Sequence, residues 1–159
     1  MTVDSPQSLA QAAKAGIELC RQDRWKEGLD LLAKVFNADE RTTGEWPRGL
    51  VLSYLGYGIA RFHNRQKEGL TLCERAVKLE FYQVDAQFNL ARTQQLIGNR
   101  RAAVATLARV LKLDPEHPGA RTLQAEMGRR RAPVLGFLGR GNPINVLLGR
   151  IRHLFSRSG

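Results

Sequence analysis

Apolar residues recur at helical spacing along most of this chain. Leu29, Leu32, Val35 and Phe36 share one helix face, and Val104, Leu107, Val110 and Leu111 share another. No stretch alternates apolar and polar positions in the manner of a half-buried strand. Amphipathic stretches run over roughly 8–22, 25–37, 46–63, 67–80, 84–97 and 100–113, and a seventh helix is predicted from Pro118 to about Gly128. Polar turns separate them. Gly98-Asn99 is a turn dipeptide, and Asp114 before Pro115 is pushed out of the helical region, which closes the helix ahead of it. Pro47 suits a first helical turn, where its missing N–H costs nothing.

The stretches fall into pairs, and the pairs repeat. Lys26-Glu27-Gly28-Leu29 recurs unchanged as Lys67-Glu68-Gly69-Leu70, each time after a polar turn and at the opening of a second helix. Small and large residues then recur in order. Gly16, Leu19, Gly28 and Leu32 mark the first pair, and Gly56, Ile59, Gly69 and Cys73 the second. Ala91, Ala103, Leu107 and Pro115 mark the third, with spacings of 40 from Gly16 to Gly56 and 35 from Gly56 to Ala91. Glu40 and Phe81 stand where the third pair has its closing proline, and Gln94 takes the place of a large apolar residue.

Over residues 8–118 this pattern resembles the tetratricopeptide repeat family. The resemblance implies an all-α, right-handed superhelical solenoid of three helix pairs. Small residues let the two helices of a pair touch, and large apolar ones fill the space between pairs. On that reading residues 1–7 are an N-terminal extension, 8–118 the helix pairs, 119–131 a capping helix, and 132–159 an apolar-basic tail with an amphipathic helix. Gly28 and Gly69 are expected at the helix contacts, intolerant of Leu, with Ala neutral or stabilising because it is the better helix former.

Such a solenoid binds protein segments in a concave groove lined by the first helix of each pair. Helical phase places Ala13, Ile17, Arg21, Ser53, Tyr57, Arg61, Phe88, Arg92 and Gln95 on that groove, a set containing the Tyr and Arg types that dominate interface energetics. Family members that grip chaperone C-terminal carboxylates use lysine, asparagine and arginine there. Ala13, Ile17 and Phe88 replace members of that set, and only Arg92 matches.

Charge adds a second feature. The chain carries a net charge of +10, yet seven of its arginines and no Asp or Glu lie in residues 129–159, leaving 18 basic and 15 acidic residues elsewhere. Asn142-Pro143 offers an N-cap and a first-turn proline. Ile144, Leu147, Leu148, Ile151, Leu154 and Phe155 follow as one apolar stripe, with Arg150, Arg152, His153 and Arg157 off it. A helix of this kind folds back over the solenoid's end, docks a partner or a second copy, or rests on an anionic membrane surface. Fold-back is preferred, because solenoid ends need covering. Aromatic residues are not interleaved with the tail arginines apart from Phe137 and Phe155, so nucleic acid is not an expected partner.

Catalytic chemistry is not signalled. His63, His117 and His153 fall in turns or the tail, without metal-ligand or triad spacing. No phosphate-cradling glycine loop, nucleophile elbow or zinc-binding helix motif is present, and no cofactor is expected. Cys20 and Cys73 read as buried core thiols, and together with the absence of a basic n-region this favours the cytoplasm, with a peripheral membrane association open through the tail. The expected function is an intracellular adaptor, scaffold or chaperone-like module binding a protein segment. The alternative is a peripheral membrane or polyanion-binding protein acting through its tail.

Overall fold

A computed structural model describes residues 6–38 and 46–128. Among the described residues there are seven helices and no strand: α1 (Pro6–Arg21), α2 (Trp25–Ala38), α3 (Arg48–Phe62), α4 (Gln66–Leu79), α5 (Val84–Leu96), α6 (Arg100–Leu113) and α7 (Pro118–Gly128). Met1–Ala125 form one compact unit, and Glu126–Gly159 a second, of which the structure describes only the end of α7. Leu147, Leu148, Ile151, Leu154 and Phe155, assigned above to tail docking, lie outside the described residues, as do 129–131 of the expected capping helix.

Within the first unit the helices pack as antiparallel pairs, α1 with α2, α3 with α4 and α5 with α6. Each pair reverses through one residue in the left-handed backbone region: Asp23 (φ 63°), Asn64 (φ 55°) and Gly98 (φ 78°). Asn and Asp tolerate this region because their short side chains bond locally, and Gly because it has no Cβ. In the third pair the N–H groups of Gly98 and Asn99 donate to the carbonyls of Gln95 and Gln94 at 3.0 and 2.9 Å, closing the helix end. Asn99 then caps α6, its side chain accepting from the Ala102 N–H at 3.2 Å.

The paired helices touch backbone to backbone at the predicted glycines. A Cβ at Gly28 would overlap Cys20 Sγ and stand 2.8 Å from the Gly16 carbonyl oxygen. One at Gly69 would overlap the Gly56 carbonyl and stand 2.7 Å from the Ala60 Cβ. Alanine is therefore too large at both positions, which corrects the expectation drawn from helix propensity alone. In the third pair the corresponding positions hold alanine, Ala91 and Ala103, each fully buried. Cys20 and Cys73 are unbridged and buried in the first two contacts, and burial pushes each thiol up to about 12.

Pro47 takes the N-cap position of α3 rather than a place within its first turn, and supplies no side-chain cap. Glu80, at the end of α4, reaches back instead and accepts from the Gly49 N–H at 2.9 Å. The end of α4 thus satisfies one N–H at the start of α3. Gln94, in the place of a large apolar residue, is buried and accepts from Thr106 Oγ1 at 2.8 Å, so a polar bond joins α5 to α6. The interface between the second and third pairs is broader than that between the first and second. Leu29 of α2 fills the hollow over Gly58 of α3 at the narrower junction.

Gly69→Ala should lower stability by about 1–3 kcal/mol through overpacking, against its roughly 1 kcal/mol gain in helix propensity. Ala103→Gly, in the pair that has room for a methyl, should cost roughly 1 kcal/mol with no compensating relief. Urea denaturation of both variants measures this, and a Gly69→Ala protein more stable than wild type would refute the contact.

Candidate functional site

Two cavities open on the first unit, the larger between α2 (Trp25 to Ala33) and α3 with the turns after α1 and α3, the smaller among α1, α3, α5 and the turns after α1 and α6. On α5 the residues Asp85, Phe88, Asn89 and Arg92 are spaced to share a face, as Tyr54 and Tyr57 do on α3. Trp25 opens α2 two residues after the left-handed Asp23, whose Oδ1 accepts from Trp25 Nε1 at 2.8 Å and fixes the indole.

Arg92 lies at the centre of this face. Its guanidinium carbon stands 3.5 Å from the centroid of Tyr57, 5.4 Å from Trp25 and 5.3 Å from Phe88. Trp25 in turn meets Tyr57 edge-on at 5.1 Å, Tyr54 at 6.0 Å and Phe62 at 5.7 Å. Behind the arginine a buried polar chain crosses from α5 to α3. Arg92 donates to Asn89 Oδ1 at 3.4 Å, Asn89 Nδ2 to Ser53 Oγ at 3.2 Å, and Ser53 Oγ to the Leu50 carbonyl at 2.7 Å. Asn89 and Ser53 each have a partner in this chain, so it fixes the register of the two helices.

A second contact spans the face from the first pair to the third. Arg21 Nη2 and Nε donate to Asp85 Oδ2 at 2.7 and 3.1 Å, and the Tyr54 hydroxyl donates to the same oxygen at 2.9 Å. The hydrogen bond to Asp85 is the main cause that raises the Arg21 pKa further, and burial raises that of Tyr54. Phe88 packs against His117 at 4.6 Å, and His117 Nδ1 accepts from the Ala120 N–H at 3.1 Å.

Two cavities open here, of about 930 and 650 Å³, and Asp23, Trp25 and Arg92 line both. Arg61 and Phe62 belong to the larger, and Arg21, Tyr54, Asp85, Phe88 and Asp114 to the smaller. Among the described residues no group of three or more His, Cys, Asp or Glu side chains is placed to hold a metal ion. No helix among them is long and apolar enough to cross a membrane.

Of the positions assigned by helical phase, Arg21, Tyr57, Arg61, Phe88 and Arg92 come together around these cavities. Ile17 does not: it is 4% exposed and belongs to the core, and Ala13 and Ser53 are fully buried. Successive first helices pack directly on one another, and this covers residues that helical phase alone leaves open. Gln95 is exposed one turn beyond Arg92 and lines neither cavity. The phase argument missed Trp25, which sits on a second helix, and Asp85 and His117. Asp85 was accessible to it, lying three residues before Phe88 and seven before Arg92.

Arg92→Lys should lower stability by about 1 kcal/mol, because an ammonium cannot stack flat on Tyr57 as a guanidinium does. Gln95→Lys, one turn away and exposed, should leave the urea midpoint in place; equal midpoints for the two variants would show that the stacking contributes nothing.

No protein-family sequence model matches the chain, and no curated protein matches it. Solved structures do. The first TPR domain of the human RPAP3 protein superposes with a TM-score of 0.61 at 17% identity, covering 78% of this chain and 92% of that one. The first TPR of Spaghetti (RPAP3), bound to the HSP90 peptide SRMEEVD, gives 0.61 at 17% identity over 78% and 95%. The TPR2B domain of yeast Sti1, in a complex with pHsp70, gives 0.53 at 16% identity over 76% and 90%. At such identities the likeness is one of fold, and the chain has the tetratricopeptide-repeat fold, an all-α solenoid of helix pairs.

Proposed function

We propose that this chain is a protein-binding adaptor that holds a segment of a partner protein in the groove formed by α1, α3 and α5. The observation that carries the reading is the cluster of Trp25, Tyr57, Phe88 and Arg92 at the junction of two open cavities. Trp25 and Tyr57 are buried, and Phe88 and Arg92 are half-buried beside them; rigid aromatic residues with an arginine are the composition of interface hot spots. Cavities of this size accommodate several side chains of a bound segment. Two of the similar solved structures have peptides in complex, HSP90 and HSP70 peptides on RPAP3 domains, which supports a peptide-sized ligand for a groove of this fold.

A photo-crosslinking amino acid placed at Phe88 should give a discrete adduct in extracts of the source cells. The same group at Val104, exposed on the outer face of α6, should not. Adducts that form from Val104 and not from Phe88 would move the binding surface off the groove.

A further inference from the structure

We infer that the larger cavity selects the partner by a bulky apolar side chain and not by charge: its occupant is an anchor such as leucine or phenylalanine from the bound segment. The inference rests on the groove being the binding site. Leu29, Ala33, Leu55, Ile59 and Phe62 line this cavity between α2 and α3. Leu29 is held in the hollow over Gly58, which fixes the α2 side. Phe62 packs on Trp25, with 5.7 Å between ring centroids, yet is 51% exposed, and Ala33 and Ile59 are half-buried. An aromatic ring left open beside a cavity of about 930 Å³ is apolar surface that a ligand side chain removes from water.

The charges around the cavity are largely engaged within the chain. Arg24 pairs with Glu27 at 2.5 Å, and Arg65 with Glu68, which stands outside the lining, at 2.6 Å. Asp23 accepts from the Trp25 indole, and Arg92 lies on Tyr57 and donates to Asn89. Lys26, Asp30, Arg61 and His63 complete the polar rim, and all four are exposed to water, which screens them. With Glu68 included, five Lys and Arg side chains face four carboxylates, a difference too small to choose a ligand by sign. Burial of apolar surface is what remains to discriminate.

The test uses the full chain as bait for a random-peptide phage library. Selected peptides should share a leucine, a phenylalanine or a similarly bulky apolar residue, whatever the charge of its neighbours. In polarisation titrations, truncating that residue to alanine should weaken binding by at least about tenfold, the affinity that burying one such side chain carries. Raising the ionic strength should change the affinity by less than about twofold. Ala33→Trp fills the cavity from α2 and should weaken the same peptides by about tenfold or more. A library that enriches nothing, or enriches acidic or basic sequences with no apolar residue in common, overturns the inference. So does an affinity that falls about tenfold with salt or is unchanged in Ala33→Trp. If that variant fails to fold, the alanine-truncated peptide on the wild type decides alone. A wild type that doubles in mass with concentration, where Ala33→Trp stays monomeric, would assign the cavity to a second copy and overturn the inference too. Phe88 adducts that persist undiminished in Ala33→Trp would remove the anchor assignment and leave the groove intact.

Discussion

Arg92 over the ring of Tyr57 is the interaction on which the rest of this face depends. Trp25 comes from the first helix pair, Tyr57 from the second and Arg92 from the third, and the three meet within 5.5 Å of one another. The junction between the first two pairs is the narrower one, so contacts that reach past it matter more than their number implies. Asp23 orients Trp25, the Asn89–Ser53 chain holds Arg92, and Arg21 to Asp85 adds a second tie between the first and third pairs. The residues that shape the groove are thus the ones that hold the pairs in register.

The other constraint is the distance between paired helices. In the first two pairs the helices are close enough that a methyl group at Gly28, Gly56 or Gly69 would meet a carbonyl oxygen or a thiol, while one at Gly16 would meet the end of the Leu32 side chain. In the third pair alanine fits. Cys20 and Cys73 belong to the same contacts, packed as small apolar groups whose burial disfavours the thiolate. A fold built from one repeating unit therefore carries two versions of its central contact, a tighter one in the first two pairs and a looser one in the third.

Much of this was legible beforehand because helical periodicity and small-residue spacing are local properties. The repeated Lys-Glu-Gly-Leu tetrapeptide marked both glycine contacts, and the helix limits followed from Gly98, Asn99 and Pro115. What stayed hidden depended on distances between elements. Helical phase gave the direction of Ile17 and Ser53 without showing that the next first helix covers them. It told nothing of how near α1 comes to α2, so alanine looked harmless at Gly28. Trp25 escaped because its place in the groove depends on the left-handed turn at Asp23, a conformation that aspartate permits without requiring.

The stacked arginine can be observed directly. In a proton–nitrogen NMR spectrum, the side-chain Hε of an arginine lying over a ring face resonates upfield of exposed arginines, because the ring current shields it. Arg92, assigned through Arg92→Lys, should give such a shielded resonance, and Tyr57→Leu should return it to the position of the exposed side chains. An Arg92 signal that coincides with the exposed arginines in the wild-type protein would contradict the three-pair junction at the groove.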